Sequence, residues 1–250
     1  MMKRLTAAAL LLAAVAVPMY VGAASRFPTW NAGGNWADAT WSAADDNARN
    51  QAAPTAADTA YLTGSSGALI TVAADAVCGP LDMASGGGGG NGAFTGTLSL
   101  SAGKTLTATS VVLDGWLAGT GTLCLTSNVV VTAGTAVPSS LTVSLAPTSA
   151  APGLTCNSTA ISTLRIDAAG GVPTCADMLI CTSLTIASGT LDVNGQAIAM
   201  PAGSRIAGSG EIRNAAASAV TIAEEGVSAV GCTGIHRDAG ATDTGTGTGT

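Results

Sequence analysis

Short runs of alternating polar and apolar residues fill the chain from about Leu98 onward. Residues 97–101 read Thr-Leu-Ser-Leu-Ser, and after a turn at Ala102-Gly103-Lys104 the alternation resumes at residues 105–109. Alternation with a period of two, in runs rich in Val, Ile, Leu and Thr and bounded by Gly, Asn and Asp, is typical of β-strands. Helical spacing is almost absent beyond the first residues. The pattern predicts an all-β protein made of many short strands.

Two pairs of similar segments indicate internal repetition. Residues 183–191 resemble residues 97–106, and residues 207–212 resemble residues 118–123. The offset is 86 residues for the first pair and 89 residues for the second. Matched pieces in the same order at nearly the same offset are typical of repeat architectures.

Repetition of strand and turn units favours one fold above the others. A single coil cannot bury its inward face, whereas stacked coils form a continuous core. We therefore predict a single-stranded β-solenoid, a right-handed parallel β-helix. A β-sandwich or jelly roll is the alternative, because these folds also consist of many short strands. The aromatic content of 3% favours the solenoid, since sandwich cores more often use large aromatic anchors.

The segment 1–23 has the organisation of a secretory signal peptide. A cationic start at Lys3-Arg4 precedes an apolar run from Leu5 to Val17, and small residues follow at Val21-Gly22-Ala23. We expect cleavage after Ala23. A transmembrane anchor is the alternative, but the run is shorter than the roughly 20 apolar residues that span a bilayer. The sequence thus predicts a protein that is secreted or held at the cell surface, with no membrane span after cleavage.

The charge composition argues against anionic partners. Only 10% of the residues are charged, whereas 47% are hydrophobic and 33 are Gly. Loss of Lys3 and Arg4 with the signal peptide leaves 7 basic residues against 15 acidic ones, so the formal charge changes from −6 to −8. An acidic chain cannot neutralise many phosphates, so we expect no nucleic-acid binding. The surface is expected to consist of Thr, Ser, Asn and Gly.

Residues 29–62 carry a pattern of Trp, Gly-Asn-Trp, Trp, Pro and Asp. Its members are Trp30, Trp36 with the preceding Gly34-Asn35, Trp41, Pro54 and Asp58, and the first clear strand follows at residues 68–72. This pattern resembles the opening segment of secreted bacterial and phage-associated β-solenoid surface proteins. The resemblance implies an N-terminal cap followed by coils rich in Thr, Gly and Leu. From about residue 95 it is mainly compositional.

The tryptophans of this segment allow two interpretations. Trp30, Trp36 and Trp41 are expected to close the open end of the first coil, where unpaired strand edges would otherwise attract other chains. Alternatively, exposed Trp side chains at these positions would stack on glycans. Capping is favoured, because terminal coils of solenoids need protection.

These features divide the chain into five predicted segments. Residues 24–85 form the cap and the first strands, and residues 86–92 form a Gly-rich loop. Residues 93–235 form the solenoid body, and residues 236–250, which end in alternating Gly and Thr, form a disordered low-complexity tail. The signal peptide precedes all of these.

The cysteine content permits disulfides without defining them. Six cysteines in a secreted chain allow three disulfides, with 15 possible pairings. The alternative is that several of the cysteines are small buried hydrophobic residues. Cys175 and Cys181 are close enough in sequence for a local bridge. The candidates are Cys78, Cys124, Cys156, Cys175, Cys181 and Cys232. No CxxC pair occurs and His236 is the single histidine, so no metal site is predicted.

Candidate catalytic groups are scarce. The adjacent acids, Asp45-Asp46 and Glu224-Glu225, would point to opposite faces of a strand. Lone acids at positions 114, 167 and 192 are expected at solvated corners. We therefore predict no enzyme activity, no catalytic residues and no cofactor.

These expectations lead to one favoured function and two alternatives. The favoured function is that of a structural or adhesive β-solenoid whose partners are surface glycans, surface proteins or copies of itself. The alternatives are a phage virion or tail-fibre component and a carbohydrate-active β-helix enzyme.

Overall fold

The computed structural model describes residues 24–28, 34–38, 41–42, 52–62, 68–84, 94–132, 135, 137–148, 152–216 and 228–230. Within these ranges the chain forms strands, turns and bends and no helix, which confirms the predicted all-β fold. The predicted signal peptide, the Gly-rich loop and the low-complexity tail lie outside the described residues.

The strands belong to four sheets. Sheet I contains β1 (Ser25–Pro28), β3 (Trp41–Ser42), β4 (Thr59–Tyr61), β7 (Leu81–Asp82), β10 (Val111–Leu113), β13 (Val129–Val131), β15 (Gly153–Thr155), β17 (Thr174–Cys175), β20 (Thr190–Asp192) and β23 (Glu211–Arg213). Sheet II contains β2 (Gly34–Asn35), β5 (Leu69–Val72), β8 (Thr97–Leu100) and β11 (Trp116–Gly119). Sheet III contains β6 (Ala76–Val77), β9 (Thr105–Ala108), β12 (Thr122–Leu125), β14 (Thr142–Leu145), β16 (Thr163–Asp167), β19 (Ser183–Ser188), β22 (Arg205–Gly208) and β24 (Ser228–Val230). Sheet IV contains β18 (Leu179–Ile180) and β21 (Ile198–Ala199).

The chain visits the sheets in turn and so winds into a solenoid of about six turns, consistent with a right-handed β-helix. β7, β8 and β9 lie in sheets I, II and III, and β10, β11 and β12 repeat that path one coil later. In two later coils a strand of sheet IV follows sheet I and precedes sheet III in chain order. Among the described strands only β1 and β3 pair antiparallel. The predominance of parallel pairing contradicts the alternative of a sandwich or jelly roll.

The core is a set of aliphatic columns that run along the solenoid. In-register pairing in sheet III aligns one inward residue from each of six successive strands, and all six are fully buried: Leu106, Leu123, Val143, Leu164, Leu184 and Ile206. Because side chains alternate between the two faces of a strand, the Thr or Ser before most of these residues points outward. Each buried aliphatic side chain contributes about 1.5–3 kcal/mol relative to an exposed one.

Glycine corners connect the sheets and coincide with the second pair of similar segments, residues 118–123 and 207–212. Gly119 and Gly208 have φ angles of 91° and 119°, and a Cβ on either would lie 1.9 Å from a backbone oxygen of the preceding coil. Each Ala-Gly segment therefore stacks on the corner of the coil before it. The corner at Gly119 joins sheet II to sheet III, whereas the corner at Gly208 joins sheet III to sheet I.

The similar segments thus mark corners of the same geometry. Because these corners join different pairs of sheets, the offset between them does not equal a whole number of coils. Coil length varies along sheet III, because the step in sequence from Leu106 to Leu123 is shorter than the step from Leu184 to Ile206. Both steps nevertheless join neighbouring strands in register. Coils of unequal length therefore stack on one another without a fixed sequence period.

The strands of the predicted segment 24–85 belong to the same sheets as later strands. β4 to β7 pair with later strands of sheets I, II and III. In sheet II the step in sequence from Ile70 to Leu98 is longer than the step from Leu98 to Leu117. The additional residues fall in sequence between β7 and β8, so the alternating pattern is interrupted there although β5, β8 and β11 pair in register.

Candidate functional site

The two described tryptophans of the opening segment lie inside the end of the solenoid. Trp36 and Trp41 are 2% and 1% exposed, and their rings meet edge to face with centroids 4.9 Å apart. The Trp41 Nε1–H donates a hydrogen bond of 3.0 Å to the Trp36 carbonyl oxygen. β3, which carries Trp41, is the last strand of sheet I and pairs antiparallel with β1. Buried rings cannot stack on a sugar, and Trp30 lies outside the described residues.

One polar atom in this end has no partner. The indole N–H of Trp36 is buried and finds no acceptor among the residues that the structure describes. An unpaired buried donor costs about 1–3 kcal/mol, which the packing of the two indole rings must offset.

Asp58 ties the opening segment together. Its Oδ2 accepts hydrogen bonds from the backbone N–H and the hydroxyl of Thr55 at 2.9 and 2.7 Å, and its Oδ1 accepts one from the Ala24 N–H at 3.3 Å. Burial raises the pKa of Asp58, but these hydrogen bonds and the Arg26 guanidinium, 3.7 Å away, outweigh it and lower the pKa overall. Pro54 is buried beside this turn. The Pro and Asp of the opening pattern therefore have a structural role in the fold.

The five described cysteines are free thiols, so none of the possible disulfides is present among them. Cys124 is half-buried and the other four are buried; Cys232 lies outside the described residues. Burial raises the pKa of Cys78, Cys156, Cys175 and Cys181 to about 12. Since the thiolate is the reactive form, these side chains act as small hydrophobic residues of the core at neutral pH.

The lone acids are held at separate corners by local hydrogen bonds. Asp114 accepts from the Gly115 N–H at 2.8 Å. Asp167 accepts from the Ser188 hydroxyl at 2.5 Å and lies 3.5 Å from the Arg165 guanidinium. The Ser188 hydrogen bond is the main cause of the lowered pKa of Asp167.

Asp192 is the most buried of the three acids, at 4% exposure, whereas the sequence predicts a solvated corner. Its carboxylate accepts from the N–H groups of Asn194 and Ala215 at 2.9 and 3.0 Å and pairs with Arg213 at 3.2 Å. Burial raises the pKa of Asp192, but these contacts outweigh it and lower the pKa overall. Asp192 therefore links two successive corners of the solenoid.

Two further properties concern metals and membranes. Within the part of the chain that the structure describes, no group of three or more His, Cys, Asp or Glu side chains is arranged to hold a metal ion. Across the same ranges, no helix has the length and apolar composition needed to cross a membrane.

The most distinctive exposed surface is the outer face of sheet II. In-register pairing aligns its outward residues in two columns across the strands. The first column is Leu69, Thr97 and Trp116, and the second column is Asn35, Thr71, Ser99 and Ala118. Trp116 is 62% exposed and Leu69 is 48% exposed. We call these seven residues the sheet II face.

Trp116 is the tryptophan that lies outside the opening pattern. It is the first residue of β11, directly after the positive-φ glycine at position 115. Leu117 next to it is buried, so the period-two alternation directs Trp116 outward. Of the three described tryptophans, the exposed one therefore lies in the body of the solenoid, and the alternation around Leu117 was the available signal.

The outer face of sheet III has a different chemistry. Its first column carries Thr or Ser in five successive strands and then Arg: Thr105, Thr122, Thr142, Thr163, Ser183 and Arg205. Arg165 adds a second cation to the neighbouring column. This face has hydroxyl groups and charges, and no aromatic residue in the described strands.

The comparisons with known proteins identify no relative. No protein-family model, no curated protein and no solved structure matches the chain.

Proposed function

We propose that this protein is a secreted or cell-surface structural and adhesive rod without catalytic activity. The observation that carries the proposal is the set of in-register columns, which gives a continuous aliphatic core beneath long faces of Thr and Ser. A solenoid of this kind is stabilised by contacts between neighbouring coils, so it holds a long surface in a fixed shape. Such a surface suits many weak contacts spread along its length.

The charges of the described residues are consistent with this proposal. Asp58, Asp167 and Asp192 each receive local hydrogen bonds, and the cations Arg26, Arg165 and Arg213 pair with them. Acid and base catalysis needs titratable groups that converge on a substrate, with pKa values near the working pH. The pKa values of these three acids are instead lowered by contacts that stabilise corners.

Secretion can be tested directly. The full chain, expressed in a bacterial host, should leave the cytoplasm, and N-terminal sequencing of the exported protein should begin at Ala24. A variant that lacks residues 1–23 should remain inside the cell. Retention of the full chain in the cytoplasm would contradict the proposed location.

Adhesion and catalysis can be tested on the exported protein. Beads coated with it should attach to cell surfaces or to one another more strongly than beads coated with heat-denatured protein. No new reducing ends should appear when it is incubated with polysaccharides. Measurable turnover would show that the protein is an enzyme and would overturn the proposal.

A further inference from the structure

We propose that the sheet II face binds a neutral polysaccharide and that Trp116 stacks on one of its sugar rings. This inference rests on the proposed adhesive function and gives it a ligand class and a site. The observation behind it is the single strongly exposed tryptophan among the described residues, which lies in register with Thr97 and Leu69.

The geometry of the face suits a chain-like ligand. Strands of one sheet lie about 4.8 Å apart, so Leu69, Thr97 and Trp116 extend over about 10 Å along the solenoid. The second column runs beside them with two hydroxyl groups, Thr71 and Ser99, and the amide of Asn35. An extended ligand that crosses the strands would meet the indole ring, Thr97 and Leu69 along one line, with the polar groups of the second column beside it.

The chemistry of the face selects carbohydrate. A pyranose ring presents an apolar surface of C–H groups and a rim of hydroxyl groups. The face of an indole carries partial negative charge and a large apolar area, which complements those C–H groups. Hydroxyl and amide side chains both donate and accept, as a sugar rim requires.

The charge of the face indicates that the polysaccharide is neutral. Neither column contains an Asp, Glu, Lys, Arg or His residue. An acidic polysaccharide would need cations, as would a phosphate-bearing ligand. The cations Arg165 and Arg205 lie elsewhere, on the outer face of sheet III.

The size of the patch argues against a folded protein as the partner. One tryptophan and one leucine, exposed to the extents above, present on the order of 200 Å² of apolar surface, whereas a stable protein interface buries about 800 Å² on each partner. A sugar chain needs only a stacked ring and a few hydrogen bonds at each contact. Because the face is built on paired strands, it also requires little ordering when it binds.

Binding to solid and soluble polysaccharides tests the inference. The exported protein is mixed with microcrystalline cellulose, chitin and soluble neutral xylan, with polygalacturonate as the acidic comparison. We expect binding to at least one neutral polymer, a loss of about tenfold or more in affinity for Trp116→Ala, and a smaller loss for Trp116→Phe. Met178→Ala, which changes an exposed apolar residue one position before sheet IV, is the matched control and should bind like the original protein.

Fluorescence quenching locates the contact. Iodide should quench Trp116 in the free protein, and the bound polysaccharide should protect it. The contribution of Trp116 is the difference in iodide quenching between the original protein and Trp116→Phe, measured with and without the polysaccharide. Circular dichroism spectra of all variants should remain those of a β-protein, because Trp116 is exposed.

Four results would overturn the inference. The first three are no binding to any neutral polymer, unchanged binding by Trp116→Ala, and stronger binding to polygalacturonate than to the neutral polymers. The fourth is attachment to cells that an excess of free, protein-free glycan does not reduce. Attachment of coated beads without glycan binding would leave the adhesive function standing and remove only this site. Cleavage of a neutral polymer that binds through Trp116 would support the proposed binding site and contradict the proposed absence of catalytic activity.

Discussion

The outer faces of sheets II and III are built on the same kind of core and yet differ in chemistry. Both have fully buried leucines inside, such as Leu98 in sheet II and Leu123 in sheet III. Outside, sheet III has eight strands, of which five carry an outward Thr or Ser in one column, and it also carries two arginines, whereas sheet II has four strands and carries Trp116. The inward positions therefore maintain the stack, while the outward positions are free to vary. Features that distinguish one coil from another are to be sought on the outward columns.

The largest effect is expected at the corner that joins the two sheets. In Gly119→Ala the new Cβ would lie 1.9 Å from the Leu100 carbonyl oxygen, at a φ of 91°, so the backbone of two coils must shift. We expect a loss of about 4 kcal/mol or more in the free energy of unfolding, measured by urea denaturation.

A glycine on the coil before provides the control for this corner. Gly103 also has a positive φ, 66°, but a Cβ there would meet no atom within 4 Å. Gly103→Ala should cost only about 1–2 kcal/mol, the penalty of the left-handed conformation. Equal losses for the two variants would show that stacking of the corners is unimportant.

The next effect separates inward from outward positions on one strand of sheet III. Leu164 is fully buried between Val143 and Leu184, so Leu164→Ala should cost about 2–5 kcal/mol in the free energy of unfolding. Thr163→Ala changes the outward neighbour and removes its exposed 3.1 Å hydrogen bond to the Ser139 carbonyl oxygen, so it should cost about 0.5–1.5 kcal/mol. Both are measured by urea denaturation. A larger cost at position 163 would contradict the assignment of the two faces.

A smaller effect on stability is expected from pH, because the outer face of sheet III carries the titratable residue Asp167 and the sheet II face carries none. The pKa of Asp167 on sheet III is lowered in the folded protein, so its contribution to stability is present above the ordinary value of 3.8 and is lost as the pH falls below it. Because Asp167 and Arg165 are both nearly half exposed, the contribution is less than about 1 kcal/mol.

Comparison of the original protein with Asp167→Asn tests this contribution. The difference in stability should be present at pH 6 and diminish progressively as the pH falls below 3.8. The common acid destabilisation due to Asp58 and Asp192 should remain in both proteins, since their pKa values are lowered as well. Binding through the sheet II face should not follow this titration, because its columns contain no titratable residue. A persistent difference at low pH would exclude ionisation of Asp167 as its cause.

The smallest effect on stability is expected when the sheet II face is made to resemble the sheet III face. Trp116→Thr replaces the exposed ring by a residue that favours strands, so the free energy of unfolding should change by no more than about 0.5 kcal/mol. Thermal denaturation followed by circular dichroism measures this. A large destabilisation would mean that the ring is part of the core, and would remove the basis for a binding role.

Much of the fold could be predicted because its signal is local. Alternation around Leu106, Leu123 and Leu184 identifies strands with one buried face wherever it occurs. The candidate site was less predictable. The opening pattern made Trp36 and Trp41 the candidate glycan-stacking residues, but both are buried. Trp116, which is exposed, lies outside that pattern.

The sequence by itself determined that this chain forms short strands, with aliphatic residues on one side and Thr or Ser on the other. The physical reason is that side chains of a strand alternate between two faces whatever the strand pairs with. Only the tertiary structure decided which strands become neighbours, because the coils differ in length and the same glycine corner fits two junctions between sheets. Stacking also decided that Asp192 is buried and that four of the five described cysteines are buried as free thiols. In the same way, the register of β5, β8 and β11 brought Leu69, Thr97 and Trp116 into one column.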